Sequence, residues 1–233
     1  GIIEQSKFNS SYLKAQQAVF KNERFSASQS ILQLQRRLEF LNGRGNMFYV
    51  ILNILFLFDI HLLLMVERWK QNKHDNVSMW FTNIGIFEAT NSLSGLAYAE
   101  NGFAFPIISD KPFTLKTTNL SHPLISKKER VANDFEMEGK GKVALVTVSN
   151  KSGKSTFLRT VGINMVLAYA GAPVCAFAME LSMMQLFTSM RTEDNLEEHI
   201  SSFYAELKRI KQLLDTIEAG RPVLYMLDEI LKG

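Results

Sequence analysis

Cysteine is almost absent: a single thiol, Cys175, in 233 residues excludes an internal disulfide and fits a reducing compartment, where it reads as a small buried hydrophobe. Histidine is sparse as well. His61, His74, His122 and His199 are scattered, none with a second His or Cys at metal-ligand spacing, so a metal site built by protein alone has no support. An excess of one charge sign is also missing: 26 basic against 23 acidic residues leave +3, too little to argue for nucleic acid by itself. The basic cluster Lys127, Lys128 and Arg130 is short, interrupted by Glu129, and reads as a solvated loop. No internal repeat, low-complexity segment or signal peptide is visible. The chain starts with Gly1 rather than Met and stops at Gly233, soon after Asp228, so a piece of a longer protein is expected.

What is present is apolar. A hydrophobic content of 46% over this length can bury one large core or two small ones. The first hundred residues are expected to be helical, with Val19, Phe20, Ile31, Leu34, Leu38 and Leu41 near the helical period and Gly43 and Gly45 closing the segment. Met47 to Val66 has the length of a membrane span. It contains Asn53, Asp59 and His61, however, and an Asp in a lipid-facing helix costs about 2.5 to 3.5 kcal/mol, so a buried helix of a soluble helical domain is expected instead. From about residue 102 the pattern turns α/β. Strands are expected at Phe103 to Ile108, Phe113 to Thr117, Val143 to Val148, Gln185 to Ser189 and Val223 to Leu227. One helix should run to about Tyr169 or Ala170 and close at Gly171 and Pro173; another should start near Ser201 or Ser202, carry Leu207, Ile210, Leu214 and Ile217 on one face, and end at Gly220. These readings divide the chain into a helical region, 1–100, and an α/β domain, 101–233.

The most informative stretch is 143–156, where an apolar run enters Ser-Gly-Lys-Ser-Thr and then a helix. In a phosphate-binding loop of this layout backbone N–H groups surround the β-phosphate, the Lys (Lys154) reaches the β- and γ-phosphates, and the next hydroxyl (Ser155) ligates Mg²⁺. The following helix adds its positive dipole end. Val148 stands where the full Gly-x4-Gly-Lys-[Ser/Thr] pattern has its first Gly, and a β-branched residue resists the backbone that glycine permits there. A plain surface turn is the bland alternative. Residues 222–229, Pro-Val-Leu-Tyr-Met-Leu-Asp-Glu, read as a Walker B strand ending in Asp228, which would hold Mg²⁺, and Glu229, which would orient or deprotonate the attacking water. Either carboxylate alone is more often a solvated strand end.

Five ordered blocks carry a family resemblance. His122-Pro123-Leu124-Ile125, Val131-Ala132-Asn133, Ser149-Asn150 leading to Ser-Gly-Lys-Ser-Thr-Phe-Leu-Arg159, Ser201-Ser202-Phe203 with Glu206, and Leu227-Asp228-Glu229-Ile230 with Gly233 resemble the ATPase domain of MutS-type DNA mismatch repair proteins. Upstream, Glu88, Leu93, Leu96, Ala97 and Ala99 resemble the helix leading into that domain, and the helical region before them the end of the lever. In detail the chain resembles a short, divergent bacterial MutS-like branch, some members of which carry membrane spans further upstream.

The resemblance implies a P-loop NTPase of ABC/MutS type, a mostly parallel sheet flanked by helices, preceded by an all-helical region and working as a homodimer with ATP sandwiched between subunits. By position Ser149, Asn150, Lys151, Ser152, Gly153, Lys154, Ser155 and Thr156 would bind nucleotide, with Asn150 facing the γ-phosphate and Lys154 and Glu229 catalytic. Ser155 and Asp228 would hold Mg²⁺. Val131, beside Arg130, would lie near the adenine where the family often has an aromatic side chain. Ser201 and Ser202 occupy the signature segment that reaches the partner's nucleotide, an ordinary N-cap being the alternative. ATP and Mg²⁺ are the implied cofactors, ATP/ADP the ligands, DNA a partner of the full-length protein, the cytoplasm the location, and a membrane anchor conceivable for the parent protein only. Lys151 and Val148 depart from the family's Gly-x-Asn-Met loop, and the mismatch-reading domain, the clamp and the family's segments after Gly233 have no counterpart here. Two rival readings stand beside the ATPase: a degraded P-loop domain serving as scaffold or dimerisation module, and a DNA-binding piece acting without nucleotide.

Overall fold

The computed structural model describes residues 1–21, 26–42, 47–147, 153–189 and 199–228. The chain divides into two compact units, Gly1–Ser92 and Leu93–Gly233.

In the first unit the described residues hold α1 (Ile2–Gln5), α2 (Ser11–Ala18), α3 (Ala27–Asn42), α4 (Met47–Phe56) and most of α5 (Phe58–Ala99). Ser10 caps α2, its Oγ accepting the Leu13 N–H at 3.4 Å. α3 runs antiparallel to α5: Trp69 Nε1 donates to Ser30 O at 3.2 Å, Arg37 Nη1 to Met65 O at 3.2 Å, and the Phe40 and Phe58 rings meet edge-on. Phe20, Ala27 and Trp80 form the buried centre, lined by Val19, Val77, Ile84 and Phe87. Trp80 keeps its polar edge satisfied by donating to Val19 O at 3.3 Å.

Met47 to Val66 is not the single buried helix its composition predicts. The chain bends by 83° between α4 and α5 at Leu57, whose φ of 49° lies in the left-handed region. Its polar residues pair across the bend. Asp59 N–H donates to Asn53 Oδ1 at 2.9 Å, Asn53 Nδ2 returns to Asp59 Oδ2 at 3.2 Å, and Tyr49 OH donates to Asp59 Oδ1. These bonds satisfy the new helix start and consume the carboxylate, while Ile54, Leu55, Phe56 and Leu63 face outward. No single helix is long and apolar enough to cross a membrane among the described residues; the bent pair passes that test only jointly.

The second unit adds β1 (Ile107–Ile108), β2 (Thr114–Leu120), β3 (Asn133–Glu138), α6 (Lys154–Tyr169), β4 (Ala178–Leu181), β5 (Gln185–Ser189), α7 (His199–Glu218) and β6 (Val223–Leu227). One sheet has the order β1-β4-β2-β3, with only β1–β4 parallel; β5 and β6 form a separate parallel pair. The mostly parallel sheet is thus seen only in part: among the described residues the α/β arrangement is mixed, with β1–β4 and β5–β6 parallel. Parallel pairing needs a long crossover, and α7 supplies it between β5 and β6.

The expected strand at Val143 to Val148 is not formed over its described part, 143–147. An apolar run becomes a strand only when a neighbour takes up its backbone groups, and β6 has β5 as its only described neighbour. Val143 and Leu145 are 91% and 87% exposed in consequence. β5 and β6 coincide with their expected spans. The strand expected at Phe103 shrinks to Ile107–Ile108 plus one bridge, Ala104 to Val174. Both helix ends fall where glycine foretells them. Gly171 (φ 80°) and Gly220 (φ 72°) close α6 and α7 in Schellman motifs, Gly171 N–H to Ala168 O with Ala172 N–H to Leu167 O, and Gly220 N–H to Ile217 O with Arg221 N–H to Thr216 O. On α7, Leu207, Leu214 and Ile217 of the expected apolar face are about half exposed, and Leu213 is buried.

Val161, Met165 and Ala168 of α6 share one core with Leu115 and Leu120 of β2, Met179 and Leu181 of β4 and Leu224 and Met226 of β6. Each fully buried large side chain contributes about 1.5 to 3 kcal/mol relative to exposure. α6 is thereby fixed against the sheet residues and the β5–β6 pair at once.

Candidate functional site

The site is built where the start of α6 meets the end of β6. Gly153 is the N-cap of α6, and the first intrahelical bond from this cap is Phe157 N–H to Gly153 O, 2.9 Å. The amides of Lys154, Ser155 and Thr156 precede it and have no carbonyl within the helix to bond, which leaves a positive helix end suited to an anion. Lys154 and Ser155 are half-buried and Thr156 is exposed.

Ser155 Oγ donates to Asp228 Oδ2, joining residues 73 positions apart. The pairing follows from two periods. Ser155 and Gly162 lie two turns apart on one face of α6, and Met226 and Asp228 lie two residues apart on one face of the β6 end. Gly162 sits over Met226: a Cβ there would come within 2.9 Å of Met226 Cε. The missing side chain lets α6 approach β6 closely enough for Ser155, two turns back, to meet Asp228. Asp228 itself continues the strand pairing, its N–H donating to Ser189 O at 2.9 Å. Serine hydroxyl and carboxylate are hard oxygen donors of the kind Mg²⁺ takes alongside phosphate oxygens, so these residues fit that ion. No cluster of three His, Cys, Asp or Glu able to hold a metal is present among the described residues.

The remaining expected residues are placed unevenly. Ser149, Asn150, Lys151, Ser152, Glu229 and the variant position Val148 lie outside the described residues. Ser201 and Ser202 lie within the first turn of α7 rather than at its cap. Val131 is 75% exposed at the end of a tight segment, with Ile125 N–H bonded to His122 O at 3.2 Å and Arg130 N–H to Ser126 O at 3.0 Å. Arg130 does not spread into solvent with Lys127 and Lys128. Its guanidinium lies 5.5 Å from the Phe103 ring centre, donates from Nη1 to Cys175 Sγ at 2.8 Å and stands 3.8 Å from Glu100 Oε2. Burial pushes the Cys175 thiol pKa up, with Arg130 opposing.

Gly162 and Asn164 belong to no sequence motif. The available signal was weak: an Asn within the otherwise apolar run Val161 to Val166 of a core helix needs internal partners.

Known proteins similar to this chain share one family name. Residues 144–233 match the family MutS domain V. The Endonuclease MutS2 of Fusobacterium nucleatum is 28% identical over 174 residues, covering 74% of this chain and 22% of that protein. The DNA mismatch repair protein MutS of Chlorobium limicola is 31% identical over 140 residues (58% and 16%), and that of Prochlorococcus marinus 31% over 172 (70% and 18%). The chain thus spans about a fifth of the length of the curated relatives it matches. Residues 144–233 thus match MutS domain V, and the similarity to MutS and MutS2 proteins reaches upstream of it, so what the comparisons support for this chain is a MutS-like family.

Proposed function

We propose that this chain is the ATP-binding and hydrolysing module of a MutS-like DNA repair protein. The observation that carries the reading is the contact of Ser155 with Asp228 at the amino end of α6, which brings a P-loop hydroxyl and a Walker B carboxylate together. Lys154 and the amides of Gly153 to Thr156 bind the phosphates, with Ser149 to Ser152 completing the loop. Ser155 and Asp228 hold Mg²⁺, which when bound neutralises charge on the phosphate oxygens. Glu229 positions the attacking water. Val131 lies towards the adenine, and Ser201 and Ser202 serve the nucleotide of a second subunit. Residues 1–100 act as a lever-like region that couples nucleotide state to dimer and DNA-clamp conformation, a role in keeping with relatives named for mismatch repair and endonuclease function.

Calorimetric titration with Mg·ATP tests the binding half. Wild type binds, and Lys154→Ala abolishes the signal; undiminished binding in that variant overturns the phosphate role. Turnover tests the other half. Glu229→Gln keeps binding and loses at least about 100-fold in rate, whereas equal turnover sinks the role of Glu229. Val148 favours one rival, a non-hydrolysing scaffold, because a β-branched residue stands where the loop pattern has glycine. Val148→Gly separates the two: a large gain in Mg·ATP affinity identifies a weakened site.

A further inference from the structure

Asn164, on α6, is completely buried and makes three hydrogen bonds. Its Nδ2 donates to Thr160 O at 2.8 Å within the helix and to Ser121 O at 3.0 Å; its Oδ1 accepts the Cys175 N–H at 2.7 Å. Ser121 N–H donates in turn to Cys175 O at 2.8 Å. Asn164, Ser121 and Cys175 therefore close a ring of three hydrogen bonds, each donating to the next. The amide orientation follows from the network, since turning it over would aim Nδ2 at the Cys175 N–H and Oδ1 at two carbonyls.

The ring has a second attachment through the Cys175 side chain. Sγ accepts from Arg130 Nη1, and Arg130 is further held by the Phe103 ring and Glu100. Ser121 and Arg130 are the two ends of the segment that leads to Val131. Both ends converge on Cys175, and Cys175 is fastened to the phosphate-binding helix by Asn164. Between them the segment closes on itself through Ile125 to His122 and Arg130 to Ser126. Any displacement of this segment relative to α6 must break a buried hydrogen bond, leaving an unpaired polar group in the core.

We propose that Asn164, Cys175 and Arg130 form a positioning cluster that fixes the Ser121–Val131 segment relative to α6, and so sets the part of ATP affinity that comes from the nucleoside rather than the phosphates. The inference rests on the ATP-binding reading and assigns it a specificity element outside the phosphate loop. None of the three residues touches the phosphates in this scheme; they act through Val131 and its neighbours.

The experiment compares Mg·ATP with Mg·tripolyphosphate, which carries the phosphates without the nucleoside, in calorimetric titrations of the chain and its variants. Arg130→Ala and Asn164→Leu are expected to lower Mg·ATP affinity about fivefold or more, the scale of one lost buried hydrogen bond, with Mg·tripolyphosphate affinity unchanged. Cys175→Ser keeps the backbone ring and an acceptor for Arg130, so the ratio of the two affinities stays near wild type. Arg130→Ala removes no member of the core ring and remains informative if Asn164→Leu fails to fold. A parallel loss for both ligands, or no loss for Mg·ATP, overturns the cluster's role. Wild type that binds both ligands equally well also overturns it while leaving phosphate binding standing. Wild type that binds neither removes the ATP-binding reading and this inference together.

Discussion

Gly162 shows how a single missing side chain can set a site 10 Å away, the length of two helical turns. The atom a Cβ would meet is the terminal methyl of Met226, which is flexible, so the cost depends on the size of the added group. Gly162→Ala gains helix propensity of about 1 kcal/mol, enough to offset a small shift of that methyl, and is expected to leave thermal stability nearly unchanged. Gly162→Val has no such room. It should destabilise by about 1 to 3 kcal/mol in denaturant unfolding and weaken Mg·ATP binding by drawing Ser155 away from Asp228. Val with unaltered affinity would disconnect the helix approach from the site. A second residue-scale prediction concerns pH. Hydrogen bonds from Lys111 and then Lys116 push the Glu138 carboxyl down to about 2, and Lys116, bonded to Glu138 and Glu136, is raised. Because the folded value lies below the unfolded 4.5, the contribution of Glu138 to stability is present above pH 4.5 and disappears as pH falls towards 2. An NMR titration of the Glu138 side chain should place its midpoint near that low value, and Lys111→Ala should move it up. The cluster is solvent-exposed, so added salt should diminish the shift.

At the scale of elements, what could be read in advance divides by whether the cause was local. Gly171 and Gly220 ended helices because only the residue at that position had to tolerate positive φ. β5 and β6 matched because an apolar run bounded by Pro222 and a carboxylate pair carries its own limits. β3 and β4 had no such signal: Asn133–Glu138 and Ala178–Leu181 are strands because β2 lies between them. Partner identity also explains why the Val143 run, apolar enough to be a strand, is not one over its described residues. Of the candidate site, Lys154, Ser155 and Asp228 were legible from motif and spacing, whereas Asn164 required knowing that Ser121 and Cys175 arrive at the same helix face. The α4–α5 bend mixes both kinds of cause. Composition alone marks Asn53 and Asp59 as obstacles to a lipid-facing helix, but their pairing across Leu57 depends on a bend that no local signal encodes. Asp59→Ala should cost about 1 to 3 kcal/mol. Tryptophan fluorescence in a urea titration reports it cleanly, since both tryptophans, Trp69 and Trp80, lie in the first unit. An unmoved transition would show that the bend does not depend on this carboxylate.

At the scale of the whole molecule, two features bear on behaviour in solution. The first is the apolar surface around the bend, where Ile54, Leu55, Phe56 and Leu63 are all more than 60% exposed. Exposed apolar side chains in such number are expected to bind the dye 1-anilinonaphthalene-8-sulfonate. Leu55→Ser with Phe56→Ser should reduce dye fluorescence without changing helix content by circular dichroism; equal fluorescence would place the dye elsewhere. The second is the separation in sequence between groups that meet in space. β2 pairs with the next strand in sequence, Leu120 with Asn133, but Leu115 pairs with Leu181, and Ser155 waits for Asp228, 73 residues on. Ribosomes add about 5 to 20 residues per second, so about 4 to 15 seconds separate the synthesis of these last two groups. In the first part of that interval, before residue 181 is made, the β2–β3 pair presents the edge that β4 later covers, and Leu115 and Leu120 lack part of their core. The nascent chain therefore passes through a stage in which its phosphate-binding helix has no carboxylate partner and its central strand is open to other chains.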